Sequence, residues 1–388
     1  MSVLIQDGRR IGHLKWSREA VADGLASGVV ISPFHTPRVQ VPRNPSGSTF
    51  ASEIIDLGGQ VIFDPSTDAR LLPGSDDLVH YDTWQLWGSS GVGLDTDDRR
   101  LEHIERVFAR EDELAAPKLA PTLVLDSPLG TRAAHALRTS QLAMGMRSNS
   151  WQSLVGRRSF WRTGADLDAY VGQLAGLRAP CWVITVANDV VLDNVPDLGD
   201  AQAFAGLFRT VHSLSRRSRV IVTHSDYAYV GAIAAGATDI GAGWDRAMRY
   251  FDPRSFQVTT AGIQIPASYV TQGQLGAVLR RDTGDAIVRL DAARARGIRG
   301  GPVPADDMAE RAHHLARLTE LVERIGRHGR SRRGRVGELR SFYEAADVEF
   351  AALQRDLPRR LVSDELRRRW IQEPLEALKI YATAEGLW

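Results

Sequence analysis

At 388 residues with a 43% apolar fraction, the chain exceeds a typical single domain and can supply a sizeable core, which fits a soluble globular protein. A formal charge of +1 gives no global attraction to polyanions, and the single cysteine, Cys181, excludes an intramolecular disulfide and a cysteine zinc cluster. The start, MSVLIQDGRRIGH, lacks a signal-peptide apolar core, and no run approaches the roughly 20 apolar residues of a membrane span, so the expectation is a cytoplasmic chain without a membrane partner.

Charge placement says more than the sum. Of 48 basic residues only Lys15, Lys118 and Lys379 are lysines. High-GC codon usage explains such an excess of arginine, while the bidentate fork of Arg also suits phosphate and base edges. Both readings stand at this point. Cys181 lies inside an apolar run, where a buried structural thiol is favoured over a nucleophile.

In chain order, residues 1–26 read as a lead-in with a helix over Ser17–Ala26. Eight short apolar runs follow: Val29–Pro33, Gln60–Phe63, Tyr81–Trp87, Thr122–Leu125, Cys181–Ala187, Val220–Thr223, Thr238–Ala242 and Phe256–Ile265. Runs of this length, rich in Val and Ile, suit strands buried on both faces of a parallel sheet, and the helix-like segments between them suit βαβ crossovers. The expected fold class is therefore α/β, a (β/α)8 TIM-type barrel over residues 27–300. Its last helix is expected near Gln272–Leu279 or Asp285–Arg296. Long connections at Thr36–Ser52, Gly88–Asp98 and Asp126–Asp166 would wall a pocket. Residues 301–388 read as a helical extension. Met308, Leu315, Leu318, Val322 and Ile325 mark one buried face, and Leu339, Phe342, Ala346, Phe350 and Leu353 mark a second. A third helix is expected to start at the N-cap Ser363 and to kink or end at Pro374.

Most runs stop at a polar residue able to do chemistry. Asp64, Asp126, Asp189 and Asp239 lie at or near the ends of four runs. A barrel would gather such ends on one face. Cleavage of a glycosidic bond uses this kind of set, one carboxylate facing the developing cation and another acid assisting the leaving group. Capping of the next turn competes for each Asp singly. His35 and His224 follow strands, where each could be a general acid, a base-pocket donor or a metal ligand. Neither belongs to an HxH or HExxH spacing, so no metal and no other cofactor is expected. His313 and His314 read as solvated residues of a surface helix, and no GxSxG elbow occurs.

Two stretches mix charge with other chemistry. Residues 147–162, RSNSWQSLVGRRSFWR, interleave Trp151, Phe160 and Trp161 with Arg147, Arg157, Arg158 and Arg162. Such a mixture suits a flipped or single-stranded nucleotide, or equally an amphipathic helix packed on the barrel. The loop 324–335, with Arg330, Arg332 and Arg333, reads as a phosphate clamp or a solvated turn.

Three segments resemble the tRNA-guanine transglycosylase superfamily, barrels that replace or remove bases at the glycosidic carbon. LVLDSPLG (123–130) is similar to that family's strand ending in Asp-Ser-Gly-Gly and implies a catalytic, base-site role for Asp126. WVITVANDVVLDNVP (182–196) resembles the strand that recognises the base and implies roles for Asn188 and Asp189. DYAYVGAIAAGATDIGAGWD (226–245) resembles the segment carrying the nucleophilic aspartate, implying Asp239, or else Asp245. The chain departs from the family in having no cysteine set for zinc and in Pro128-Leu129 where the glycine pair would stand.

The resemblance implies a zinc-free relative that cuts the base–sugar bond, with DNA carrying a modified base as substrate, in an anti-phage role. In that reading Asp126, Asp239 and Asp64 do the chemistry, and His35, Asn188, Asp189 and His224 form the base pocket. Arg147, Trp151, Arg157, Arg158, Trp161, Arg162, Arg330, Arg332 and Arg333 hold the nucleic acid. A base-exchanging transglycosylase, a small-molecule barrel hydrolase or lyase and a non-catalytic nucleic-acid-binding barrel are the alternatives.

Overall fold

Six of the apolar runs and two further segments become the strands β1 (Ser2–Gln6), β2 (Gly28–Ile31), β3 (Gln60–Phe63), β4 (Val124–Leu125), β5 (Gln152–Arg157), β6 (Cys181–Ala187), β7 (Arg219–Thr223) and β8 (Asp239–Ala242). In this computed structural model, which describes all residues except 9–11, 76–79, 163, 192–198 and 257–267, they form one eight-stranded sheet in the order β3-β2-β1-β8-β7-β6-β5-β4. Every ladder in it is parallel, and β1 pairs with both β2 and β8, so the sheet curls round on itself. The architecture is an α/β TIM-type barrel followed by a helical extension. No helix of the described residues is long and apolar enough to cross a membrane.

Among the described residues the strand inventory differs from the expected one in four places. The segment read as a lead-in carries β1, whose short VLI run is too brief to stand out at a chain start. The segment Tyr81–Trp87 forms a 3-10 turn over Tyr81–Trp84 ended by Gln85 at φ 52, and Tyr81 and Trp84 pack into the core. The stretch 147–162 supplies β5, disguised by the polar Gln152 and Ser153 at its start. Of the run Phe256–Ile265, Phe256 closes a 3-10 turn and the rest lies outside the described residues. Of the two places expected for the last helix, Gln272–Leu279 falls on β9 (Tyr269–Gln272) and β10 (Ala277–Arg280), an antiparallel hairpin apart from the barrel, while Asp285–Arg296 falls on the helices Arg281–Leu290 and Ala292–Arg299.

Side chains alternate across a strand, and two separate apolar clusters follow from that period. Val3, Ile5, Val29, Ile31, Val61, Phe63, Trp182, Ile184, Val220 and Val222 pack outward against the helices. Leu4, Val30, Ile62, Cys181, Val183 and Ile221, with Leu119, make a smaller cluster inside the barrel. Cys181 is thus a buried barrel residue, and burial pushes its thiol up to about 12, which makes it a poor nucleophile. Two residues further along, the inward positions turn polar: Gln6, Ser32, Asp64, Thr185 and Thr223. Gly241 occupies the equivalent place on β8, where a Cβ would lie 2.2 Å from Gln6 Nε2. Its missing side chain makes room for the Gln6 amide.

The inward positions are also polar at the opposite mouth. Arg219 donates to Asp239 Oδ2 through Nε at 2.9 Å and Nη2 at 2.7 Å, and to Gln60 Oε1 at 2.8 Å. Its guanidinium lies 5.4 Å from the centre of the Trp151 ring. Ser2 and Thr238 donate to the same Asp239 carboxylate. This plug closes the amino-terminal end of the barrel.

Among the described residues no ladder joins β3 to β4. β4 is two residues long, and the chain before it contains Pro117 and Pro121, which lack the N–H that a ladder needs. The barrel is therefore cut along one seam.

The extension is built from helices Asp307–Gly326, Arg332–Asp356 and Glu373–Ala384, the first two burying the faces their periodicity marks. Ser363 caps Asp364–Arg367 as expected, accepting from Leu366 N. Pro374 falls in the first turn of the last helix, where no intrahelical N–H is lost, so the chain continues through it. His314 is buried rather than solvated: it lies 3.0 Å from Asp226 Oδ2 and 2.9 Å from Thr271 Oγ1. Glu310 accepts from Thr271 N at 2.7 Å and from Arg299 Nη2 at 2.5 Å, so barrel, hairpin and extension share one buried polar network.

Two stability outcomes follow. Asp239→Asn should lower the unfolding free energy by about 2 kcal/mol, since it weakens charged hydrogen bonds at a half-buried Arg219, and leave ligand binding at the other mouth unchanged. His314→Ala leaves Asp226 buried without its partner and should cost about 3–5 kcal/mol in denaturant unfolding.

Candidate active site

The carboxyl ends of β1, β2, β3 and β7 converge on a cavity of about 440 Å³ lined by Gln6, Asp7, Ser32, His35, Asp64, Ser66, Asp68, Thr185, His224, Phe251 and Phe256, among others. Each polar group arrives from a strand end or the loop beyond it. Asp7 follows β1 and is held on both oxygens: Gly8 N donates to Oδ1 at 2.8 Å, and Ser32 N and Thr36 Oγ1 donate to Oδ2 at 3.1 and 2.7 Å. Burial nevertheless outweighs these bonds and pushes its carboxyl from 3.8 to about 7.

Asp64 closes β3, and its Oδ1 accepts from Ser66 N at 2.7 Å. Ser66 adopts φ 48, a left-handed conformation that a side chain disfavours, and it turns the chain so that Asp68 comes back to the same cavity. Burial raises both carboxyls, against the Ser66 amide at Asp64, and repulsion from Asp64 adds to the rise at Asp68, where Arg132 opposes it. Two carboxyls lining one buried cavity, one repelling the other, favour a state in which one is protonated and one ionised. His35 Nδ1 lies 3.2 Å from the Asp7 carbonyl oxygen, which can only accept. That contact puts the proton on Nδ1 and leaves Nε2 as the basic nitrogen. His224 ends the β7 side of the cavity with φ 47, its ring 5.9 Å from Phe251. Asp226, also at φ 47, is anchored through His314, so the strained loop is fixed from the extension. Gln6 is buried, and its Nε2 makes no hydrogen bond.

The cavity gathers three of the expected site residues, Asp64, His35 and His224. It excludes the expected Asp126–Asp239 pair. Asp239 begins β8 and Asp126 follows the end of β4, so the two sit at opposite mouths. Asp239 belongs to the plug, and Asp126 is an exposed rim residue 3.0 Å from Arg157 Nε. Arg157 also bridges to Asp189 at 2.7 Å, tying both rim carboxylates to one guanidinium. Asp245 follows β8 but does not line the cavity. Asn188 is buried and committed to structure, donating to Val186 O and Phe251 O at 3.2 Å and accepting from Tyr229 Oη at 2.7 Å. With Asp189 it borders a separate, mainly apolar slot of about 290 Å³ against Trp161, Phe204 and Tyr229.

The expected nucleic-acid surface does not assemble. Trp161 and Phe160 are buried, with Trp161 Nε1 donating to Gly156 O at 2.8 Å, and Trp151 packs under Arg219 at the plug. These aromatics therefore pack, Trp151 beside the start of β5 and Phe160 and Trp161 on the short helix Arg158–Trp161, and not along one amphipathic helix. Arg158 and Arg162 reach Asp200 at 3.9 and 3.0 Å. Arg147 precedes β5 and Arg157 ends it, so the stretch spans both mouths. Arg332 binds Ser215 Oγ and His212 Nε2 at 2.9 and 3.0 Å, and Arg333 donates to Gly386 O. That loop packs at the amino-terminal mouth, where Gly326 lies near Met1. Arg330 is exposed.

Asp7 and Asp68 were missed. Asp7 ends an apolar run like the other candidates, but the run is three residues long. Asp68 follows Asp64 by four residues and is brought to it by the turn at Ser66.

No protein-family model matches the chain, and no curated protein matches it. A solved structure described as a probable tagatose 6 phosphate kinase from Sinorhizobium meliloti 1021 is similar over 100% of this chain and 99% of its own, with 10% identity and a TM-score of 0.32. A likeness at that score carries no argument about activity.

The raised carboxyl of Asp7 has a defined sign. Across the window from 3.8 to about 7 the unfolded chain ionises Asp7 while the folded protein keeps the proton, so this contribution to stability is full below that window and lost above it. Asp7→Asn should therefore gain on the parent protein as pH rises from about 4 to 7, by at most about 4 kcal/mol, in urea titrations at fixed ionic strength.

Proposed function

We propose that the chain is a hydrolase that cleaves an N-glycosidic bond, with the chemistry carried by the Asp64–Asp68 pair. The observation that supports this is the meeting of Asp7, Asp64 and Asp68 with His35 and His224 around one cavity at the carboxyl ends of the strands. Two carboxyls, one protonated and one ionised, supply both halves of the reaction. The protonated one gives its proton to the departing nitrogen, and the ionised one faces the positive charge growing on the sugar carbon. His35 Nε2 takes the proton of the attacking water, which becomes the new hydroxyl on that carbon.

The cavity opens among the strand ends and is walled by their side chains, so a substrate has to present a single unit to it and not a helix. A base in DNA would have to be flipped into it. The opposed placement of the two arginine groups favours a free nucleoside or a related small glycoside over a polymer. DNA with a modified base remains the polymer to test.

The deciding experiment offers free nucleosides and normal and base-modified DNA, reading released base directly and abasic sites by alkali cleavage. Asp68→Asn and Asp64→Asn should each slow release by about 10²–10⁴-fold while thermal unfolding stays cooperative. Asp126→Asn and Asp239→Asn should retain turnover. No release from any substrate, or full activity in both pocket variants, sinks the reading.

A further inference from the structure

Beside the carboxyl cavity, and sharing Asp7 and His35 with it, lies a second cavity of about 570 Å³ whose other walls include Gly12, His13, Arg43 and Asn44. Asp7 gives both cavities a carboxyl, but this one adds an arginine and a helix start that its neighbour lacks. The ten-residue helix His13–Ala22 starts at its wall with Gly12 as N-cap, at φ 84, and no side chain caps it. The first helical bond is Trp16 N to Gly12 O, and the described hydrogen bonds leave the amides of His13, Leu14 and Lys15 unused. Free amides at the start of a helix attract an anion.

His13 provides an independent sign of a ligand. Its side chain is 8% exposed, it lines the cavity, and its Nε2 makes no hydrogen bond, lying 3.5 Å from Asp7 Oδ1. A buried imidazole nitrogen without a hydrogen bond is costly unless something fills the space before it. Burial and the nearby Arg311 charge keep the ring neutral, so it offers a single N–H. Arg43 stands on the facing loop, closed by the reciprocal backbone bonds of Val41 and Asn44 at 3.2 and 3.1 Å. No described carboxylate neutralises its guanidinium. Amides, an imidazole N–H and a guanidinium together match the three oxygens of a phosphate monoester better than the two of a carboxylate.

We propose that this second cavity binds the phosphate group of a phosphorylated substrate through Arg43, His13 and the open helix start. The anion site stands on its own geometry. Only the placing of the substrate's reactive bond in the adjoining carboxyl cavity rests on the hydrolase reading.

The test uses the full ¹⁵N-labelled chain at pH 7, titrated with inorganic phosphate, with acetate and chloride at matched ionic strength as the other arms. Phosphate should give saturable shifts of the His13, Leu14 and Lys15 amides and of the His13 ring nitrogens. Arg43→Gly suits the positive φ of 71 at that position and should keep the fold, yet weaken phosphate by about tenfold or more. Arg43→Lys should recover part of the loss. Absence of a saturable shift up to about 50 mM phosphate, far weaker than millimolar binding, overturns the proposal. Equal affinity in Arg43→Gly, or acetate binding as tightly as phosphate, overturns it too. Because no turnover is measured, failure of the hydrolase reading would leave this result unaffected.

Discussion

A side chain on a barrel strand points either to the helices or to the axis, and the alternation cannot be shifted by one residue without turning the whole strand inside out. Everything chemical in this protein depends on that constraint. Leu4, Val30, Ile62, Val183 and Ile221 fill the middle of the barrel, so the next inward positions fall at the two mouths, where water and polar groups can meet them. At one mouth they are Arg219 and Asp239, satisfied by each other. At the other they include Gln6, Ser32 and Asp64, which border an open cavity. A carboxylate's role is decided by which end of its strand it occupies.

The same rule explains how far the sequence could be read. Six of the apolar runs, among them Cys181–Ala187 and Val220–Thr223, are strands, because their Val and Ile content and buried faces leave little choice of structure. The amphipathic helices of the extension were legible for a similar reason. Residues 81–87 show the limit: Tyr81 and Trp84 are as buried as any strand residue, but the backbone turns at Gln85, and an apolar pattern does not report φ.

The site was legible only in part. Asp64, His35 and His224 could be placed because they follow strands. Asp239 reads like them in sequence yet begins its strand and so lies at the other mouth, a difference that an apolar run followed or preceded by an aspartate does not mark. A place on a helix that reads as surface suggests solvation for His314, whereas it closes a contact with Asp226 across 88 residues of chain. Partners so distant in sequence leave no local pattern. Arg157 and Arg332 were likewise legible as arginines and illegible in their partners, one lying between two rim carboxylates and the other against His212 and Ser215.

Among the described residues the cut between β3 and β4 gives the barrel two free borders where a closed ring would have none. A closed ring transmits a displacement of any strand to both neighbours through main-chain bonds. Among the described residues β3 is tied on one side only, to β2, and it carries Asp64 at its tip with Asp68 just beyond. The carboxyl pair is thus mounted on a cantilever, able to swing by small amounts without breaking a ladder bond. Amide exchange along Val61–Phe63 would register that freedom as weaker protection than on β7, which is clamped from both sides.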